Sequence, residues 1–226
     1  MNQKYYSVAI DGPAGAGKST IARRAAERMQ FVYVDTGAIY RTVGFAAFSR
    51  GIALTEPAAI AAMLPELALC LKWQDGLQHT LLNGEDVTAR IRQPEISTYA
   101  SVSAAIPEVR AFLLNTQREI AKTHSVVMDG RDIGTVVLPD ADVKIFLTAS
   151  AEVRAKRRYL ELREKAAPDT YEEVLSDMIE RDRRDTTREI APLKQAADAV
   201  LLDTSELNLK ESIDAVIRII SERIKP

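Results

Sequence analysis

The chain has 226 residues, of which 46% are hydrophobic and 27% are charged, as in a soluble globular protein with one large α/β domain. Thirty Lys and Arg against 32 Asp and Glu give a net charge of −2, which argues against non-specific binding to nucleic acid. No apolar run reaches the ~20 residues that cross a bilayer, and a single cysteine excludes an internal disulfide, so we expect a cytoplasmic protein with no membrane partner.

The first predicted element is a buried strand over residues 5–10, followed by a glycine-rich loop and a helix from about 20 to 29. The loop matches the P-loop pattern G-x-x-x-x-G-K-S/T and reads Gly12-Pro-Ala-Gly15-Ala-Gly17-Lys18-Ser19. Its backbone N–H groups and the helix N-terminus favour a bound polyphosphate. Lys18 can reach the outer phosphates, and the Ser19 hydroxyl can ligate Mg²⁺. The alternative, a turn that binds nothing, is disfavoured by the strand–loop–helix context, and we therefore expect a site for a nucleoside triphosphate.

Four further apolar, β-branched stretches predict strands that alternate with helices. They cover residues 31–34, 125–128, 143–148 and 199–202. This alternation predicts right-handed crossovers and a five-stranded parallel sheet between two helical layers. Ligands bind such sheets at the carboxyl ends of the strands, so the chemistry is expected just after each stretch. Those positions hold Asp11, Asp35-Thr36, Asp129-Gly-Arg-Asp132 and Asp203.

One segment interrupts the alternation and predicts a small antiparallel insert. Residues 67–74 and 77–82 form two strand patterns, separated by Asp75-Gly76 and followed by Asn83-Gly84, and both dipeptides are strong hairpin signals. Helices are expected near 56–64 and over 94–123. Trp73 in this insert favours a packing role, and Cys70, which lies in the apolar run, is expected to be buried.

Arginines recur where a second phosphorylated ligand could be held. They lie on predicted helices or just after the third strand, at Arg41, Arg110, Arg131, Arg154, Arg157, Arg158, Arg181 and Arg188. The last two share one helix face with Asp185, at spacings of four and seven residues from Arg181. Such a face can also be a solvated, self-paired stripe. Guanidinium groups bind phosphate in a bidentate manner, however, and phosphoryl transfer needs positioned, neutralised phosphates. No guanine-reading motif appears, which weakens a GTPase interpretation.

Four motifs together closely resemble those of the bacterial cytidylate kinase family. They are Ile10-Asp-Gly-Pro-Ala-Gly-Ala-Gly-Lys-Ser-Thr20, Asp35-Thr-Gly-Ala-Ile-Tyr-Arg41, Asp129-Gly-Arg-Asp-Ile-Gly-Thr-Val-Val137 and Arg181-Asp-Arg-Arg-Asp-Thr-Thr-Arg188. The resemblance covers nearly the whole chain, including the insert. It implies a P-loop NTPase fold that transfers the γ-phosphoryl group of ATP to CMP or dCMP with Mg²⁺, giving ADP and CDP or dCDP in pyrimidine nucleotide metabolism.

The resemblance also implies roles for single residues. The ATP site consists of Gly12, Pro13, Ala14, Gly15, Ala16, Gly17, Lys18, Ser19 and Thr20, with Arg157 and the catalytic Arg158 from a short lid over residues 151–168. Arg41, Arg131 and Arg188 hold the acceptor phosphate, and Lys18, Arg131 and Arg188 count as catalytic. Ser101, Arg110 and Asp132 read the cytosine edge, and Arg181 and Asp185 bind the ribose. Thr36 and Tyr40 are the remaining substrate-binding residues.

Two positions depart from the family pattern. Thr36 stands where many relatives have serine, and the hydroxyl group is kept. Ser19 stands where some relatives have glycine, which puts its necessity as a Mg²⁺ ligand in doubt. Asp35 and Asp129 can hold the ion through water instead.

The expected organisation is a single kinase domain over residues 1–226. Its core covers about 1–55 and 124–226, and a monophosphate-binding region with the insert covers about 56–123. A monomer is expected, because no long exposed apolar helix face is evident. Two alternatives remain: another P-loop kinase of small molecules, for adenylate, thymidylate or a hydroxy acid such as shikimate, and a nucleotide-binding switch without transfer activity.

Overall fold

Five parallel strands form the centre of the computed structural model, which describes residues 4–74, 76–164 and 166–224. Their spatial order is β2 (Val32–Asp35), β6 (Val126–Gly130), β1 (Ser7–Asp11), β7 (Val143–Thr148) and β8 (Val200–Asp203). All four neighbouring pairs are parallel. The predicted five-stranded parallel sheet is confirmed, and its carboxyl edge gathers the ends of β1, β2 and β6.

Helices cover both faces of this sheet. One layer consists of α1 (Lys18–Met29) and α8 (Leu209–Arg223), and the other of α2 (Thr36–Ser49) and α5 (Pro107–Thr123). Strand side chains alternate between the two layers, so that Val8 and Ile10 pack with α1 and α8 whereas Ala9 packs with α2 and α5. Parallel strands buried on both faces explain the nearly unbroken apolar runs of the sequence.

The remaining helices flank the insert or lie between β7 and β8 in the chain. They are α3 (Pro57–Ala62), α4 (Pro94–Ser103), α6 (Ala151–Glu164) and α7 (Tyr171–Thr187). Short 3₁₀ turns cover Leu64–Glu66 and Arg90–Arg92, and a π-helical turn covers Ile133–Val137. The single helix expected over 94–123 is wrong, because Pro107 begins a new helix, α5, and has no N–H with which to continue the preceding one. Among the described residues, no helix is long and apolar enough to cross a membrane.

The insert is a separate antiparallel sheet of three strands, β3 (Leu69–Gln74), β4 (Leu77–Leu82) and β5 (Glu85–Asp86). The Asn83-Gly84 turn has φ of 51° and 87° at its two residues, as a tight hairpin requires. Asp75 of the other predicted turn lies outside the described residues. The short strand β5 was not foreseen.

Two side chains of the insert test the packing expectations. Trp73 packs against the core and donates from Nε1 to the carbonyl of Tyr33 at 2.9 Å, as its predicted packing role requires. The expectation that Cys70 is buried is wrong, because exposed and half-buried residues alternate along β3 and Cys70 lies on the exposed face.

Candidate active site

A cavity of about 340 Å³ opens at the carboxyl edge of the parallel sheet. It is lined by nearly all the side chains singled out from the sequence, drawn from the P-loop, α2, α4, α5, the end of β6, α6 and α7. The residues expected at the site that do not line it are Asp11, Gly12, Pro13, Ala16, Arg154, Arg158 and Asp203. Residues far apart in sequence therefore meet in one space, as the strand-end argument predicts.

The loop between β1 and α1 has the backbone of a phosphate cradle. Gly12, Gly15 and Gly17 have φ of 151°, 72° and 84°, values that residues other than glycine rarely adopt. At Gly12 space is also decisive, because a Cβ there would lie 1.9 Å from the carbonyl oxygen of Leu147 on β7. Gly17 ends the loop as the N-cap of α1 and directs the first N–H groups of the helix toward the cavity.

Lys18 is the first residue of α1 and is only 5% exposed. Its Nζ donates to the carbonyl of Pro13 within the loop at 2.6 Å. Burial lowers the pKa of this ammonium group well below its usual value, and the charge of Arg131 lowers it further. A phosphate anion bound beside Lys18 would supply the negative charge that stabilises its protonated form.

Two carboxylates lie side by side where β2 and β6 end. Asp35 and Asp129 are register partners across the two strands, and both are buried. The hydroxyl groups of Ser19 and Tyr33 donate to the two oxygens of Asp129, at 2.9 and 2.8 Å. Burial, followed by the charge of Asp35, raises the pKa of Asp129 to about 6. This edge of the cavity therefore favours added positive charge.

The donor set at this edge fits a Mg²⁺ ion. A hydroxyl group and two carboxylates are the oxygen ligands that hard cations prefer, and Mg²⁺ commonly takes only one or two protein carboxylates, with water and substrate phosphates completing its shell. Within the described ranges, no group of three or more His, Cys, Asp or Glu side chains forms a fuller metal cage. Ser19, Asp35 and Asp129 could thus hold the ion only together with a phosphate or water.

Both carboxylate oxygens of Asp35 and its backbone N–H and carbonyl groups are hydrogen-bonded. Its Oδ1 accepts from the N–H of Ala38 at 2.9 Å and so caps α2. Its Oδ2 pairs with Nη2 of Arg92 at 2.6 Å. The Gln78 side chain on β4 accepts from the Asp35 N–H at 2.8 Å and donates to its carbonyl at 3.3 Å. The residue thus joins the core sheet to the insert.

Arginines from α2, from the segment after β6 and from α7 line the same cavity as the P-loop. Arg131 donates from Nε to Asp185 on α7 at 2.8 Å. Arg181 lies one turn earlier on α7, and its buried Nε has no hydrogen-bond partner. Burial lowers the pKa of Arg181 to about 10, and the nearby charges of Arg131 and Arg41 add to the effect. Buried like charges of this kind are stabilised when an anion binds among them.

A buried part of the cavity wall is built around Asp132. Its Oδ2 forms an ion pair with Nη2 of Arg110, and Nη2 of Arg188 lies 3.6 Å from its Oδ1. Arg110 also lies over the ring of Tyr40, with its Cζ 5.6 Å from the ring centroid. Burial raises the pKa of Asp132, and the two arginines oppose that rise. Donors and an acceptor are therefore held together in a desolvated pocket that Ser101 also lines.

The comparisons with known proteins agree with this geometry. The family model described as "Cytidylate kinase" matches residues 8–222. The chain belongs to the cytidylate kinase family. A cytidylate kinase of Shouchella clausii is 47% identical over 97% of both chains, and one of Caldicellulosiruptor bescii is 46% identical over 98% of both. The protein is accordingly a nucleoside monophosphate kinase that phosphorylates CMP or dCMP.

A solved structure supports the fold. The chain resembles an uncharacterized protein from Eubacterium ventriosum with a TM-score of 0.55 and 14% sequence identity, over 97% of this chain and 100% of the other. At that identity the likeness concerns the fold alone.

Two arginines of this cytidylate kinase lie elsewhere than the sequence predicts. Arg188 was expected on one helix face with Arg181, but α7 ends at Thr187 and Arg188 is its C-cap, with φ −61° and ψ 140°. Its Nε donates to the carbonyl of Ala191 at 2.6 Å, which turns the guanidinium toward Asp132. Arg158 does not line the cavity, but it pairs at 3.2 Å with Glu161, which does.

Two contributors to the site were missed in the sequence. Tyr33 lies two residues before Asp35 on the same strand, and strand alternation could have placed both on one face. Arg92 has no such signal, because it reaches Asp35 across 57 residues of chain. Arg154, expected among the arginines that could hold a second phosphorylated ligand, instead donates to the carbonyl of Ala14 at 3.0 Å and pairs with Asp182 on α7.

Proposed function

We propose that the protein transfers the γ-phosphoryl group of ATP directly to the phosphate of CMP or dCMP within this cavity, yielding ADP and CDP or dCDP. The proposal depends on one observation: buried arginines whose positive charges are not fully paired with carboxylates line the same cavity as a P-loop. Phosphoryl transfer needs little covalent participation by the protein and much positioning and charge neutralisation. Both requirements fit this side-chain set.

The P-loop is proposed to hold the donor triphosphate. The backbone N–H groups from Ala14 to Thr20, at the N-terminus of α1 and before it, would bind the phosphate oxygens, with Gly12 and Pro13 shaping the start of the loop. Lys18 would exchange its bond to the Pro13 carbonyl for a bond to the transferred group. The acidic edge formed by Asp35 and Asp129, with Ser19, would hold Mg²⁺, and a carboxylate of this edge can act through a bound water instead of by direct ligation. When bound, the ion would neutralise charge on the donor phosphates.

Arg41, Arg131 and Arg188 are proposed to hold the acceptor phosphate. Arg131 is oriented by its hydrogen bond to Asp185. The positive charges of Arg131 and Arg41 help to lower the pKa of Arg181, and an anion bound among the three guanidinium groups would relieve this repulsion. A phosphate acceptor is already ionised and needs no general base. The guanidinium groups would therefore act by orienting the attacking oxygen and by cancelling charge in the transition state.

Asp132 and Arg110 are proposed to read the base. The carboxylate can accept from the 4-amino group of cytosine, and Arg110 and Ser101 can donate to its ring nitrogen and carbonyl. Uracil presents a carbonyl where cytosine has the amine, so its oxygen would face an oxygen of the buried carboxylate with no hydrogen between them, and buried unpaired polar groups cost about 1–3 kcal/mol or more. Arg181 and Asp185 are proposed for the ribose, and Thr36 and Tyr40 complete this side of the site.

A panel of acceptors tests the proposal directly. Purified protein would be assayed for ADP release with CMP, dCMP, UMP, AMP and TMP, using ATP and then GTP as donor. We expect clear preference for CMP or dCMP. Equal turnover of all monophosphates would rule the proposal out. Slow ATP hydrolysis that no monophosphate changes would point to a nucleotide switch.

The organisation of the reaction is part of the proposal. Residues 151–168 would act as a lid, of which residue 165 lies outside the described ranges, and residues 56–123 as the monophosphate-binding region. Arg157, now bonded to the carbonyl of Thr204 at 2.8 Å, would turn toward the donor. We further propose that a monomer acts in the cytoplasm, where the exposed Cys70 would stay reduced.

A further inference from the structure

Arg92 reaches the cation edge of the site from outside the cavity. It ends the 3₁₀ turn Arg90–Arg92 and is not among the residues that line the cavity. Its Nη2 lies 2.6 Å from Oδ2 of Asp35, and the two side chains are 52% and 5% exposed. A half-exposed cation of the insert thus compensates a buried carboxylate of the core.

The same carboxylate is the point at which the insert is joined to the core. Gln78 of β4 forms two hydrogen bonds with the backbone of Asp35, while Arg92 bonds to its side chain. Asp35 Oδ1 remains on the N-terminus of α2. With one oxygen on the helix and the other on Arg92, Asp35 has its two carboxylate oxygens committed to structural partners.

The positive charge of Arg92 acts both on the carboxylates proposed to hold the cation and on an arginine proposed to hold the acceptor phosphate. Asp35 and Asp129 are adjacent like charges, and the positive charge of Arg92 offsets part of their repulsion. On the acceptor side, the charge of Arg92 adds to the repulsion felt by Arg41. One arginine is therefore within electrostatic reach of the proposed cation edge and of the proposed phosphate clamp.

We propose that Arg92 is a positioning residue that holds Asp35 away from direct cation ligation and fastens the monophosphate-binding region to the core. The inference rests on the proposed Mg²⁺–ATP and CMP sites. With Arg92 in place, Asp129 and Ser19 form the cation's protein side, and Asp35 serves as helix cap and anchor. α4 begins at Pro94, two residues after Arg92. The Arg92–Asp35 bond therefore also fixes the start of the helix that carries Ser101 into the cavity wall.

This arrangement predicts opposite effects on the two ligands. In Arg92→Gln, the carboxylate pair loses a compensating charge, so divalent cations should bind the ATP complex about three- to tenfold more tightly. The anchor of α4 is lost at the same time, so the KM for CMP should rise by about the same factor, while kcat changes by less than about threefold. A merely structural loss would weaken both ligands together.

The experiment measures Mn²⁺ binding to the full-length protein with ATP by electron paramagnetic resonance, alongside the steady-state KM for CMP. Arg90→Gln is the matched control, because Arg90 lies in the same turn and pairs with exposed Glu85 rather than with Asp35. Arg92→Lys should restore Mn²⁺ affinity to near wild type, since it keeps the charge. Thermal unfolding of each variant checks its folding.

Unchanged or weaker Mn²⁺ binding in Arg92→Gln, or an equal shift in Arg90→Gln, would overturn the inference. In an Asp35→Asn background the Arg92→Gln change should have little further effect on Mn²⁺ binding, because its partner charge is gone, and full additivity would also overturn it. A wild-type protein that binds Mn²⁺ with ATP but does not phosphorylate CMP would instead defeat the proposed function, and this inference with it.

Discussion

Asp132 and Arg110 form a buried ion pair in the wall of the cavity, with side chains only 6% and 9% exposed. The carboxylate lies two residues after the end of β6, and the guanidinium belongs to the first turn of α5. Arg110 is further fixed by the carbonyl of Ala104 at 3.2 Å, between α4 and α5. Because such a pair leaves little freedom to rearrange, its pattern of donors and acceptors can discriminate between bases of the same shape.

Asp132→Asn should reduce discrimination between CMP and UMP by about tenfold or more, because the amide can donate to the carbonyl of uracil. The measurement is the ratio of kcat/KM for the two acceptors. Asp140→Asn is the matched control, since Asp140 is exposed and lies outside the cavity. An unchanged preference ratio in Asp132→Asn would mean that the base is read elsewhere.

Arg188→Ala should lower kcat by about 10² or more, because a charge that neutralises the transferred group would be lost in the transition state. Steady-state kinetics with saturating ATP and CMP measure it. Arg184→Ala is the control and should leave turnover within about twofold. Arg184 is exposed, does not line the cavity, and has only a long ion pair, at 3.9 Å, with exposed Glu180. Near-normal turnover of the Arg188 variant would remove this residue from the mechanism.

Asp11 should make the protein less stable as pH rises. Burial raises the pKa of this carboxyl group from 3.8 to about 6, although it accepts from the N–H groups of Ile133 and Gly134 at 2.8 and 2.7 Å. Between these values the folded protein keeps a proton that the unfolded chain has lost. The stabilisation is therefore complete below about pH 4 and lost as pH rises through about 6, with a total of about 3 kcal/mol.

Urea unfolding of the wild type and of Asp11→Asn at several pH values tests this. The amide cannot ionise and also loses one acceptor, so the variant should be less stable than the wild type at low pH, by about 1–3 kcal/mol. The difference between the two proteins should shrink as pH rises from about 4 to about 7 and then vanish or reverse, because only the wild type loses the Asp11 contribution. A difference that stays constant or grows over this range would contradict the expectation.

Gly12→Ala should abolish nucleotide binding and destabilise the protein by about 3 kcal/mol or more, because the added Cβ would collide with the carbonyl oxygen of Leu147. Gly51→Ala provides the control, since Gly51 also has a positive φ, 69°, but its Cβ would meet nothing within 4 Å. That variant should lose only about 1 kcal/mol. Thermal unfolding and ATP titration distinguish them, and equal losses in both would show that backbone strain alone decides.

Closure of the lid should accompany binding of both nucleotides, because water must be kept from the migrating group. Arg158 does not line the cavity, and its side chain pairs with the cavity-lining Glu161 at 3.2 Å, so a phosphate contact would require this side chain to leave Glu161 and turn toward the cavity. Small-angle scattering should give a smaller radius of gyration with CMP and a non-hydrolysable ATP analogue than without them. Superimposable profiles would count against closure and against a catalytic role for Arg158.

Local patterns were sufficient wherever one stretch of chain carries the whole signal. The P-loop, the five core strands and the Asn83-Gly84 hairpin each follow from short-range spacing, and the structure has all three. Patterns were insufficient where a helix ends. Nothing between Arg181 and Arg188 announces that α7 stops at Thr187, and the orientation of Arg188 follows from its bond to Ala191 rather than from helical periodicity.

The sequence by itself determined the sheet, the phosphate-binding loop and the family, because periodicity, glycine placement and motif spacing act within a few residues of each other. Only the tertiary structure decided which charges meet. The pairing of Arg92 with Asp35 and that of Arg110 with Asp132 join separate elements, and the energy of a charge depends on its distance to others and on burial. Neither quantity can be read along the chain.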